Sequence, residues 1–215
     1  FMITPLLGTI IPTFNDDSGF SLKLYTDFFK DEYMMNIFYR TLKISLVSSI
    51  ICMIIGVPVS YYISRTSQKF RGLFIALTVF PILTNSVVRS FAWMSILGKN
   101  GVINNILLKL NLINEPLSLL YTEGAIIIGT VYIFLPLMII SLIGVMENIE
   151  KDLLEAAESL GANKVTAFFK VVFPLSLPGL IVGTVLVFTG SLTAYTTPQL
   201  LGGNKNDNSG NYWSY

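Results

Sequence analysis

Asp152, Glu155 and Glu158 stand at three-residue intervals in the segment DLLEAAESLG, which closes on Gly161. Carboxylates so spaced can do two kinds of work. Asp152 and Glu155 form a capping-box pattern, in which each side chain satisfies an N–H at a helix start. Glu155 and Glu158 can also pair with basic groups on a partner. Leu153, Ala156, Ala157 and Leu160 follow the i, i+3, i+4, i+7 rule and share another face. Gly161 stands where a helix end needs a residue tolerant of positive φ. Asn163 can cap a second helix, with Val165, Phe168, Phe169 and Val172 along one stripe. Pro174 and Pro178 are expected to break that helix. The product is a helix–turn–helix whose alanines let another backbone come close. Its chemistry is docking, not bond-making. An ordinary interfacial loop is the plainer alternative.

Other chemistry is poorly supplied. The 215 residues contain no histidine and one cysteine, Cys52, inside an apolar run. Cys/His zinc sites, disulfide frameworks and His-dependent triads are excluded. No GxxxxGK[ST] phosphate loop occurs, so nucleotide is not hydrolysed by that route. The net charge of +1 offers no basic excess for nucleic acid. No catalytic residue and no metal ligand is assigned, and no cofactor is expected to bind this chain.

The elements that must position the 152–161 segment are apolar. The chain is 53% hydrophobic and 13% charged. A soluble domain carries about 25% charged residues. Crossing hydrocarbon takes roughly 20 apolar residues in a helix. Four such spans are read, over 44–63, 72–97, 125–146 and 175–201. Residues 1–43 are read as the remnant of a first membrane helix followed by an outer interfacial segment. There Tyr25, Phe28 and Phe29 oppose Asp27, Lys30 and Asp31. Residues 103–110 suggest a short helix in the loop between the second and third spans. Residues 202–215 are polar, rich in Asn and Gly, and expected to be a disordered or aberrant tail. The dense basic loop of Arg65, Lys69 and Arg71 argues for a cytoplasmic side there. The 147–174 loop falls on the same side. The fold class is thus an all-α polytopic membrane protein.

Inside the spans, Arg89 is the only charge. It can snorkel or make a structural hydrogen bond, or it can serve a gate. Trp93, Tyr132, Thr193 and Tyr195 place aromatic faces and hydroxyls inside the spans, where they could line a pathway. Helix packing or an interfacial belt explains the same residues. Two small-xxx-small pairs, Gly179/Gly183 and Ala125/Gly129, read as helix contacts. An ion-coupled secondary transporter would need intramembrane ionisable groups beyond Arg89. A membrane enzyme would need general acids and bases that these spans lack.

Glu155-Ala156-Ala157, three residues, Gly161, nine residues and Val171-Val-Phe173-Pro174 together resemble the EAA motif of bacterial ABC-importer permeases. Further segments are similar to the first permease of the spermidine/putrescine importers. They are Tyr25-x2-Phe28-Phe29, Val88-Arg89-Ser-Phe-Ala-Trp93, Leu97-Gly98-x2-Gly101, Glu115-Pro-Leu-x-Leu-Leu-Tyr121 and Thr197-Pro198-x-Leu-Leu201-Gly202-Gly203. The resemblance implies a type I permease fold of six spans, four of them complete here, with cytoplasmic coupling helices. It assigns Asp152, Glu155, Ala156, Ala157, Leu160, Gly161 and Pro174 to the contact with an ATPase. It implies as partners a cytoplasmic ABC ATPase dimer that uses ATP, a second permease subunit and an extracytoplasmic solute-binding protein. It places the chain in the bacterial cytoplasmic membrane and gives polyamines as solutes. Other small solutes, such as opines or organophosphonates, remain the alternative.

Overall fold

The structure, a computed structural model, describes residue 8, residues 11–16 and residues 19–202. The expected helix remnant lies mostly outside the described residues, and so does the polar tail from 203 onward. Apart from a two-residue antiparallel pairing of β1 (Asn15–Asp16) with β2 (Gly19–Phe20), the described secondary structure is helical. The chain divides into two units, Phe1–Leu42 and Lys43–Tyr215.

In the first unit a 3-10 turn at Ile11–Phe14 precedes the strand pair, and α1 covers Lys23–Lys30. The Tyr25 ring lies 5.2 Å from Phe14, and its hydroxyl is 2.9 Å from Thr13 Oγ1. The next helix, α2, runs Glu32–Arg65 and belongs to the second unit from Lys43 onward. Asp31 starts it, since its Oδ1 accepts from Tyr33 N at 2.8 Å.

The second unit holds α3 (Gln68–Leu83), α4 (Ser86–Leu97), α5 (Val102–Lys109), α6 (Glu123–Met146) and α7 (Lys151–Ser159). It continues with α8 (Lys164–Thr193) and α9 (Thr196–Gly202). Among the described residues, α2, α6 and α8 are long and apolar enough to cross a membrane. Helices answer the lack of water in hydrocarbon, because every backbone group is satisfied within the segment.

Three expectations need correction. The span over 72–97 is broken: the helical stretches Gln68–Leu83 and Ser86–Lys109 meet at 96°, as a broken span or a re-entrant loop does. Thr84 and Asn85 are extended, and Asn85 Oδ1 accepts from Val87 N at 2.9 Å to start α4. A capping residue inside an apolar run thus ends one helix and opens another. The span over 175–201 is also divided. Its helix begins earlier, at Lys164, stops at Thr193, and resumes as α9 after the extended Ala194. Pro198 in the first turn of α9 needs no N–H there. Finally, Pro174 and Pro178 do not break the helix. A π-turn at Phe168–Val172 widens α8 just before Pro174, and Phe173 N reaches back to Phe168 O. The wider turn absorbs the N–H that proline cannot donate.

Packing around α6 relies on small residues, since lipid removes the hydrophobic drive between helices. On α2, Ser45, Ser49, Cys52, Gly56 and Ser60 are buried at intervals of three or four. Cys52 Sγ donates to Val131 O at 3.9 Å, and Ser60 Oγ to Ile139 O at 3.2 Å. Cys52, Met138, Leu142, Met146, Leu180 and Val187 make one buried cluster. Leu97, Ala125 and Leu201 make another, joining α4, α6 and α9.

The loop between α4 and α6 is fixed by one buried amide. Asn104 Nδ2 donates to Gly98 O at 3.0 Å and to Leu117 O at 2.9 Å, while its Oδ1 accepts from Leu117 N at 2.9 Å. Leucine at position 104 removes three hydrogen bonds to the backbone, each contributing about 0.5–1.5 kcal/mol. Limited proteolysis within 98–122 is expected to run at least tenfold faster in Asn104→Leu. Equal rates would show that the amide does not hold the loop.

Candidate functional site

The segment from Glu147 to Pro174 is built by local rules at both ends. Asn148 Nδ2 donates to Gly144 O at 2.8 Å, closing the last turn of α6. The α7 helix then starts from Glu150, with no side-chain bond at the cap. The expected Asp152/Glu155 capping box is therefore not made. The helix begins ahead of Asp152, which places that carboxylate inside the first turn. There it still faces the positive end of the helix dipole.

At the other end the geometry is a Schellman motif. Gly161 N donates to Glu158 O at 2.9 Å and Ala162 N to Ala157 O at 3.0 Å. Gly161 has φ +89°, a conformation that costs an L-residue about 1–2 kcal/mol. Asn163 Oδ1 accepts from Thr166 N at 2.8 Å and opens α8.

These caps present one side of α7 outward. Leu154 and Ala157 are half-buried against the protein. Leu153, Ala156 and Leu160 are exposed, Leu160 to 90%. Asp152, Glu155 and Glu158 are also exposed. The stripe expected on the second helix divides. Val172 is buried and Phe168 partly so, whereas Val165 and Phe169 are open. A cavity of about 570 Å³ lies beside α7, lined by Pro58, Tyr61, Leu154, Glu158, Lys164, Val165, Phe168 and Phe169. Pro174 is exposed within α8.

The basic loop between α2 and α3 is tied to this segment. Arg71 Nη1 lies 3.2 Å from Glu147 Oε1, and Arg71 Nη2 donates to Ser64 O at 2.9 Å. Arg65 Nη1 donates to Ile149 O at 3.0 Å. In the sequence these arginines mark only the orientation of the loop. Their ties span about 80 residues and leave no short-range signal.

Of the five residues considered for a pathway, two are in ring contact. Trp93 and Tyr132 meet edge to face at 5.5 Å. Arg89 Nη1 donates to Pro81 O at 2.8 Å and to Thr84 O at 3.1 Å. It thereby satisfies carbonyls freed at the end of α3. Thr193 Oγ1 bonds Thr189 O and Gly190 O of its own helix. Tyr195 lies at the break between α8 and α9 and is exposed. Among the described residues no three His, Cys, Asp or Glu side chains converge as metal ligands would.

Residues 44–211 match the family described as the binding-protein-dependent transport system inner membrane component. The spermidine/putrescine transport system permease protein PotB of Haemophilus influenzae is 36% identical over 95% of this chain and 74% of its own length. PotB of Escherichia coli is 34% identical over 94% of this chain and 74% of its length. The molybdenum transport system permease protein ModB of Azotobacter vinelandii is 26% identical over 76% and 71%. Among solved structures, a bacterial ABC transporter that imports alginate aligns with a TM-score of 0.65 at 18% identity, over 89% of this chain and 68% of that one. The same kind of transporter bound to a periplasmic protein carrying an alginate pentasaccharide aligns at 0.70, over 92% and 72%. That likeness concerns the fold, which is the permease fold of an ABC importer. This chain is an inner-membrane transport permease and belongs to the binding-protein-dependent transport system inner membrane component family.

Proposed function

We propose that this permease carries polyamines, putrescine and spermidine among them, inward across the cytoplasmic membrane. The observation that carries the reading is its 36% identity, across 95% of the chain, to a spermidine/putrescine permease. A solute-binding protein delivers the solute on the outer side, as the alginate transporter's complex with a periplasmic protein suggests. A second permease subunit completes the path. A separate ATPase dimer grips α7 from the cytoplasm through Leu153, Ala156 and Leu160, with Glu155 on its flank. ATP is spent in that partner, and this chain supplies no catalytic group.

Energy reaches the spans as a difference in the ATPase's affinity for two arrangements of α7. On the solute side, the rings of Trp93 and Tyr132 suit a weakly held organic cation. Each cation–π contact contributes about 0.5–2 kcal/mol, which favours passage over retention. Arg89 bonds to Pro81 and Thr84 carbonyls and so holds the bend.

The test is uptake into vesicles holding the complete transporter with its binding protein. Labelled putrescine or spermidine is expected to accumulate only with ATP, and unlabelled polyamine should compete. Failure of both polyamines while molybdate or another solute enters would reject the polyamine assignment but keep the permease role. Accumulation on an ion gradient without ATP would reject the ATPase coupling.

A further inference from the structure

The cytoplasmic end proposed for α2 is held from both sides of α7. Ahead of α7, Ile149 O accepts from Arg65 Nη1 at 3.0 Å. Behind α7, the Phe168 ring meets Tyr61 edge to face at 5.0 Å. Tyr61 and Arg65 are one turn apart on α2, so they occupy the same face. The Arg65 guanidinium carbon lies 5.7 Å from the Tyr61 ring centroid, which joins the two grips into one unit. Phe168 is also the first residue of the π-turn in α8, a place where helices bend.

Arg65 is under-bonded in this arrangement. Its Nε and Nη2 are buried without a hydrogen-bond partner among the described residues. Buried donors without partners carry a penalty that another position of nearby carbonyls can relieve. Arg71, bonded to Glu147 and to Ser64 O, ties the neighbouring loop to the same end of α6.

We propose that Tyr61 and Arg65 form a clasp that passes movement of α7 into α2, with Arg65 as a positioning residue for transport. Each side chain contacts a residue that flanks α7, Ile149 for Arg65 and Phe168 for Tyr61. A pull on α7 displaces Ile149 and Phe168 together, and both displacements arrive at the same turn of α2. Without the clasp, α7 remains docked but α2 is no longer driven.

The inference rests on the coupling role given above. Its test uses the complete transporter in vesicles and reads solute moved per ATP hydrolysed. Arg65→Ala is expected to keep the ATPase bound and hydrolysis within twofold of the native rate. Uptake per ATP should fall at least tenfold. Arg65→Lys keeps a cationic donor within reach of Ile149 O and should recover a third or more of the native ratio. Tyr61→Phe keeps the ring and should match the native protein, whereas Tyr61→Leu should fall with Arg65→Ala. An unchanged ratio in Arg65→Ala overturns the clasp, as does a lysine variant no better than alanine. Should Arg65→Ala fail to assemble, the Tyr61 pair decides, and equal ratios for phenylalanine and leucine overturn it. A native complex that moves no solute on ATP sinks the coupling role itself, which is a separate result.

Discussion

Leu160→Asp is expected to weaken capture of the ATPase partner by roughly a thousandfold, from about 4 kcal/mol of lost affinity. Leu160 is the most exposed large apolar side chain among the described residues, at 90%. Burying such a leucine contributes about 1.5–3 kcal/mol. A carboxylate in its place must also be desolvated at the interface, which costs several kcal/mol when it finds no partner. The fold has little to lose. Surface substitutions of this kind change stability by about 0.5 kcal/mol or less. Co-purification of the ATPase should therefore disappear from a permease that still folds. Leu160→Lys should fail as well, because the contact is apolar and either charge spoils it. Leu112→Asp is the control, since Leu112 is also an open leucine, 67% exposed, in the loop between α4 and α6. Retention of the ATPase by Leu160→Asp would remove α7 as the docking surface.

What was legible in the sequence was what neighbouring residues decide among themselves. The end of α7 follows from Gly161 at C′ and from Asn163 two residues on. Both act within a few residues, and φ of +89° with the Asn163 cap follows from their types. The start of α7 was harder to read. Glu150 and Asp152 are both acidic, and spacing alone does not choose between them. Nothing within 152–155 records that Ile149, just ahead, is held by Arg65 from 84 residues away.

The breaks in the apolar runs were missed for a different reason. Hydropathy records whether a stretch is oily, not whether its axis is straight. Asn85 and Ser86 stood inside the second run as a helix-start signal, but a count of apolar residues passes over them. The reverse error fell on Pro174. The rule against proline within a helix assumes i→i−4 bonding, and the π-turn at Phe168–Val172 changes that register. The clasp residues show the same limit. Tyr61 and Arg65 read as the end of a span, and their partners depend on how three helices meet.

Two glycines one turn apart on α8 give the second large effect, and they are expected to behave differently. A Cβ at Gly179 would lie 2.8 Å from Ser141 O and 2.8 Å from Val145 Cγ2. At Gly183 it would meet Ser141 Oγ and lie 2.7 Å from Met138 Sδ. Both crowd the α6–α8 contact, but the obstacle at Gly179 is a backbone carbonyl, which a helix does not release. The obstacles at Gly183 are a hydroxyl that can rotate and the flexible end of a methionine. Gly→Ala within a helix otherwise gains up to about 1 kcal/mol. Gly183→Ala should thus cost less than Gly179→Ala, and Ser141→Ala should remove part of that penalty. Overpacking at Gly179 costs about 1–3 kcal/mol, so Gly179→Ala should lower the unfolding temperature of the complex in detergent. Val145→Ala should restore only part of that loss, because the Ser141 carbonyl stays in place. The reverse order, with Gly183→Ala the more damaging, would mean that the two helices meet in a different register. The α6–α8 packing would then have to be redrawn.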